Sequence, residues 1–195
     1  MKHSSSRQLF DYWNHRRGNR PAPERGEIEP GAIRGILGDT FILAHEPRTG
    51  HPFRLAGTRV CALFGRELKA EPFAKLWGDA SRPSAIKLVD LAADEWVGLV
   101  AGVTGSVEDG STVDLELLLL PLSYRGRAHA RVLGVLAPLV APPGLAITPL
   151  TSLQLGSLRH LGPAVETVAA PRLTGSTPAR RPRHGLIVYE GGRPE

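Results

Sequence analysis

Apolar positions along the 195-residue chain change period several times, and each change marks an element. Leu9, Phe10 and Trp13 share one helical face; with Ser6 as cap and Gly18 and Asn19 as stop signals, they predict a helix ending near Arg17. Arg20 to Pro30 is punctuated by Pro21, Pro23 and Gly26 and reads as an extended linker. Pro30 then opens a short helix with Ile33, Ile36 and Leu37 apolar, closed by Gly38. Phe41 to His45 and Phe53 to Gly57 predict two strands of a hairpin turning around Gly50. Val60, Leu63 and Phe64 suit a short helix that Gly65 ends, and Glu71 to Trp77 a further helical turn with Phe73, Leu76 and Trp77 inward. Ser81 or Ser84 opens a longer helix in which Ile86, Val89, Ala93 and Trp96 trace one face.

From Val97 the period is two. A strand to Val107, a turn at Asp109-Gly110, a strand from Thr112 to Leu120, a turn at Arg125 to Arg127 and a strand from Ala128 to Leu139 form a meander. Val113, Leu115, Leu117 and Leu119 alternate with Asp114 and Glu116 before both faces turn apolar. The fold class predicted is α+β: a five-stranded antiparallel sheet with helices on one face, plus an N-terminal helix and a C-terminal tail. Residues 1–25 form the helix and basic linker, 26–141 the core domain and 142–195 a partly disordered extension. Within that extension Leu153, Leu155, Leu158 and Leu161 suggest a helix over Leu150 to Leu161, weakened by Gly156. Residues 171–183 read as a mobile linker, and Gly185 to Glu190 as a short strand or partner-binding tail.

Composition narrows the class. Hydrophobic residues at 42% and charged residues at 22% are globular values. The single cysteine excludes a disulfide framework and multi-cysteine metal sites. The start lacks the apolar run of a signal peptide, and Leu117 to Leu122 is too short to span a bilayer, so a cytoplasmic protein without membrane insertion is expected. The net charge of +5 sits in the two arms, around Arg16-Arg17-Gly-Asn-Arg20 and Arg180-Arg181-Pro-Arg183, while the centre is close to neutral.

The order of elements resembles the PAS fold. The resemblance sharpens over Arg54-Leu-Ala-Gly-Thr58 followed by Phe64-Gly-Arg-Glu-Leu68, which is similar to a bacterial family of stand-alone PAS-like proteins. Tyr12-Trp13, the Glu29-Pro30 helix start and Leu119-Leu-Pro-Leu122 agree with it, over about residues 8–140. The resemblance implies a sensory or regulatory domain in signal transduction, acting through a protein partner, with Arg54, Leu55, Gly57, Thr58, Phe64, Gly65 and Pro121 as signature positions. Ala70 departs from the pattern, standing where that family more often has glycine.

Read physically, Gly57 allows a close chain reversal, Thr58 can cap the next helix through its hydroxyl, and Gly65 suits a left-handed C-terminal position. Alternation puts Arg54 on the face opposite Phe53 and Leu55, as an exposed or ion-paired arginine or else a partner contact. Trp77 and Trp96 fall in the helical half; core packing explains them, and a small ligand beside them is the other reading.

No cofactor is expected. Cys61 lies on an apolar stretch and reads as a buried, inert thiol, outside the helix motif of flavin photochemistry. Residues 80–96 lack a histidine for haem. No two histidines stand three or four apart, and His45 and His51, flanking the hairpin turn, read as a solvated pair in preference to a metal site. Asp90, Asp94 and Glu95 read as an exposed helix face. Nucleophile-elbow and phosphate-loop motifs are missing, so no catalytic residue is assigned. The expected function is non-catalytic and regulatory, through protein–protein interaction and with a small ligand optional. Homodimerisation through the sheet or the N-terminal helix is expected, because Leu9, Phe10 and Trp13 need burial. The alternative is nucleic-acid binding by the arginine-rich arms.

Overall fold

The computed structural model describes residues 1–124, 127–140 and 148–161. Six strands form one antiparallel sheet: β1 (Thr40–Ala44), β2 (Phe53–Ala56), β3 (Gly98–Val107), β4 (Thr112–Tyr124), β5 (Arg127–Pro138) and β6 (Leu150–Leu161). Their spatial order is β2-β1-β5-β4-β3-β6. The helices are α1 (Ser4–Arg17), α2 (Thr58–Leu63) and α3 (Arg82–Asp94), with single 3-10 turns between. The expected meander and leading hairpin are therefore present, with one strand more than predicted.

That sixth strand comes from the segment expected to be helical. Leu150–Leu161 pairs with β3 from Leu150↔Val107 to Leu161↔Gly98, and its Leu150 and Leu153 are buried in the core. Edge position explains the misreading: most side chains of β6 are exposed, so the segment lacks a two-residue burial pattern. Arg125 and Gly126 of the expected turn, residues 171–183 and the Gly185 to Glu190 segment lie outside the described residues.

Parity along the strands splits the interior in two. Phe41, Leu43, Leu115, Leu117, Leu119, Val132 and Leu136 face α2, α3 and the 3-10 turn Phe73–Leu76. Ile42, Leu118, Leu120, Leu122, Leu133 and Val135 belong to a second core, with Leu9 and Trp13 of α1, Ile28 of the linker and Ile33 and Ile36 of the helical turns before β1. The sheet is thus covered on both faces, not on one. The apolar positions of α1 are satisfied inside the chain: Leu9 is 0% exposed and Trp13 3%. The burial argument for a dimer through α1 falls with that observation.

Local chemistry fixes α1. Its N-cap is His3, whose Nδ1 accepts the Ser5 amide, in place of the expected Ser6 cap. Gly18 ends it at φ 55°. The amides of Lys2 and His3 donate to the Glu116 carboxylate at 2.5 and 3.0 Å, while Ser5 Oγ donates to Asp39 at 2.6 Å. Two buried carboxylates therefore sit at the positive end of the helix.

Candidate functional site

The signature positions divide between building and display. Gly57 is buried where β2 turns into α2, and a Cβ there would stand 2.2 Å from the Leu37 carbonyl oxygen, so only glycine fits the reversal. Gly65 has φ 63°, the left-handed conformation expected of it. Phe64 is buried beside it. Thr58 differs from expectation: it is the first residue of α2, Gly57 is the N-cap, and no side chain caps the helix. Its side chain is exposed. Pro121, in the middle of β4, accepts the Trp13 indole N–H on its carbonyl at 2.8 Å. The Tyr12 hydroxyl donates to the Glu27 carbonyl and accepts the Glu29 amide. The Tyr12-Trp13, Glu29-Pro30 and Pro121 pieces of the signature thus meet where α1 docks on the sheet.

Arg54 and Leu55 are displayed. The pairs Ile42↔Leu55 and Leu43↔Phe53 leave Arg54 as the extra residue of a β-bulge. Simple alternation across Phe53, Arg54 and Leu55 is therefore broken. Phe53 is buried against the inner core, whereas Leu55 turns to the other side with 40% exposure. Arg54 pairs with Glu46 at 2.7 Å and is half exposed, the ion-paired arginine that was expected. Both residues line a cleft of about 550 Å³, together with Ile42 on its floor. Arg25, Tyr124 and Arg131 complete it, with the Arg131 guanidinium stacked 4.6 Å over the Tyr124 ring. Glu24, on the same rim, accepts from Ser123 Oγ at 2.6 Å and so fixes the linker against β4.

The two tryptophans do not share a pocket. Trp77 is 1% exposed on the inner face, edge-on to Phe73 at 5.5 Å, in an aromatic group that continues through Phe41 and Phe53. Trp96 follows the end of α3 with φ 55° and packs half-buried with the α1 core on the opposite face. The positive φ ends the helical path that would have carried Trp96 inward with Val89 and Ala93. Trp77 Nε1–H is buried with no acceptor among the described residues. Cys61 is buried in α2, as expected.

The hairpin brings His45 and His51 together, as their flanking of the turn suggests, and α3 adds a carboxylate expected on an exposed helix face. His45 follows β1, His51 precedes β2 at φ 57°, and Asp90 lies in α3. The imidazoles stack with centroids 5.5 Å apart and planes 5° apart. His45 Nε2 is 3.0 Å and His51 Nε2 3.4 Å from Asp90 Oδ1. His51 is fully buried and the His45 side chain is 13% exposed, which corrects the expectation of a solvated pair. Burial holds the His51 pKa below the ordinary imidazole value, with His45 adding to the effect and Asp90 opposing it. Asp90 is half-buried, not part of a free helix face. No local spacing carries this arrangement, because the hairpin brings the histidines together and tertiary packing adds the carboxylate.

The sequence profile described as PAS domain matches residues 1–137. Together with the antiparallel sheet and its intervening helices, this makes the chain a sensory domain of α+β architecture; it belongs to the PAS domain family. No curated protein matches the chain. Among solved structures, it is similar to one described as "Flavin Analogue Sheds Light on Light-Oxygen-Voltage Domain Mechanism". Identity is 20% and the TM-score 0.44, over 57% of this chain and 84% of that one. Nothing about flavin binding follows from a likeness at that level. Among the described residues no helix is long and apolar enough to cross a membrane.

Proposed function

We propose that this PAS domain is a non-catalytic regulatory module that signals by binding a partner protein at the cleft beside β2. The observation that carries this reading is the cleft's make-up. An exposed Leu55 lies beside Arg25, Arg54 and Arg131, on the part of the sheet that α1 leaves open. An apolar centre with a guanidinium rim suits a partner segment that is apolar with acidic flanks. Arginine and tyrosine are residue types on which binding energy concentrates.

The test is site-specific photo-crosslinking in the native cell. A crosslinker at Leu55 should give one discrete protein adduct, lost when Arg131→Glu is added; the same probe at the exposed Lys87 of α3 serves as control. Adducts at Leu55 no stronger than at Lys87 would remove the cleft as the interface. A second copy of this chain is one admissible partner, and light scattering of the Arg131→Glu variant beside the parent distinguishes it.

A ligand in the core is a second reading, favoured by the unpaired Trp77 indole N–H. Native mass spectrometry of the purified chain tests it through added mass. The nucleic-acid alternative is weakened at the N-terminal arm. Arg16 pairs with Glu29 at 2.8 Å and Arg20 with Glu27 at 3.0 Å, and Arg17 lies over the Trp13 ring. A gel shift absent at low salt excludes it.

A further inference from the structure

We infer that His45, His51 and Asp90 form a binding site for a borderline divalent transition metal such as Zn²⁺ or Co²⁺. The three side chains offer ligand atoms that all lie within 4.8 Å of one another. Donors about 2.0–2.1 Å from a tetrahedral ion stand about 3.4 Å from each other. The Asp90 Oδ1 separations of 3.0 and 3.4 Å from the two imidazole nitrogens are close to that spacing before any metal enters. Asp94, one turn further along α3, has Oδ1 3.8 Å from His45 Nε2 but stands outside the group whose ligand atoms all lie within 4.8 Å of one another.

An independent observation points to the same occupant. His51 Nε2 is buried without a hydrogen-bond partner, on a side chain that is 0% exposed, and it is the atom turned toward Asp90. An imidazole nitrogen left so far from water is costly unless something takes its lone pair or its proton. Around the rest of the ring, the Glu46 amide reaches Nδ1 at 3.2 Å, and the carbonyls of Ala44 and Ile86 lie against it. Metal at Nε2 requires the ring proton on Nδ1, so the Glu46 amide contact there is given up when the ion binds.

Two imidazoles with one or two carboxylates favour zinc, cobalt, nickel or copper over magnesium or calcium. The ion would join the β1–β2 hairpin to α3, on the inner side of the sheet. This inference rests on a site separate from the partner cleft, so either can fail alone.

The experiment uses the untagged full chain stripped with chelator and titrated with Co²⁺. One equivalent should bind with the visible absorption of a four-coordinate ion, be displaced by Zn²⁺ and raise the melting temperature. His45→Gln and Asp90→Asn should each weaken binding by roughly a hundredfold, and Asp94→Asn less. His15→Gln, on the exposed face of α1, should change nothing. No stoichiometric uptake by the parent chain would overturn the inference, without need of any variant. Uptake that survives in the His45→Gln, Asp90→Asn double variant would overturn it as well, assigning the ion to surface histidines.

Discussion

The two faces of the sheet are closed by different means. On the inner face, Trp77, Phe73, Phe53 and Phe41 pack with α2 and α3, elements that lie between the second and third strands in the chain. Apolar burial dominates that layer, with His45 on Asp90 and Arg82 on the Ala74 and Trp77 carbonyls as polar ties at its margin. On the outer face the cover is a terminal helix, brought back over more than a hundred residues and fastened at named polar points: Lys2 and His3 amides on Glu116, Ser5 on Asp39, and Trp13 on Pro121. Arg59 completes the second fastening with a bidentate grip on Asp39, at 2.6 and 2.9 Å. The attachment of α1 therefore depends on ionised carboxylates, and the outer layer is expected to open before the inner one. The cleft that displays Arg54 and Leu55 borders the outer one.

The largest effects should fall on the inner layer. Trp77→Ala removes a fully buried ring and should cost about 3–5 kcal/mol, seen as a global loss of urea stability. Trp13→Ala removes a comparable ring from the outer core and an indole hydrogen bond. It should cost about 3 kcal/mol and free the α1 amides to exchange before those of β5. Equal protection of the two elements in that variant would show the faces to be one cooperative unit. Gly57→Ala drives a Cβ into the Leu37 and Gly38 carbonyls of the turn before β1 and should cost about 3 kcal/mol.

Glu116→Gln should cost about 1–2 kcal/mol, again concentrated in α1. For both Glu116 and Asp39, burial acts to raise the carboxyl pKa. It is outweighed at Glu116 by the Lys2 and His3 amides and at Asp39 by Arg59 and Ser5, so both end below the ordinary value. A carboxyl whose folded pKa is depressed stabilises the fold above its unfolded pKa and ceases to do so as pH falls through the folded one. The outer fastening should thus weaken below about pH 4. The smallest effect is a gain. Ala70 holds φ 68°, so Ala70→Gly should add about 0.5–1 kcal/mol on melting.

Much of this architecture was legible in the residues, for physical reasons that also mark where reading stopped. Leu115, Leu117 and Leu119 announced β4 because a half-buried strand shows its period directly. Gly65 announced a left-handed position by its lack of a side chain, whereas Ala70 stood out only as a departure at a glycine position and its φ of 68° is what the structure adds. The amphipathic face of α1 was plain, but periodicity gives a face without saying what covers it. A dimer and the protein's own sheet were equally good partners until the fold placed Trp13 on Pro121. The bulge at Arg54 was hidden because register belongs to the pair of strands, and one extra residue reverses the side on which Leu55 emerges. The His45–His51–Asp90 cluster was hidden for the same reason on a larger scale. Its members share no element, and the carboxylate had an adequate explanation as part of a solvated helix.

Hydrogen exchange followed residue by residue tests the contrast between the faces most directly. At neutral pH the amides of α1 from Gln8 to Trp13 should be protected nearly as well as those of β5. As the pH is lowered stepwise below about 4, after correction for intrinsic rates, that protection should fall in α1 first while Val132 to Leu136 keep theirs. Protection of α1 that is already lost at neutral pH, or that falls in step with β5, would contradict an outer layer fastened by Glu116 and Asp39.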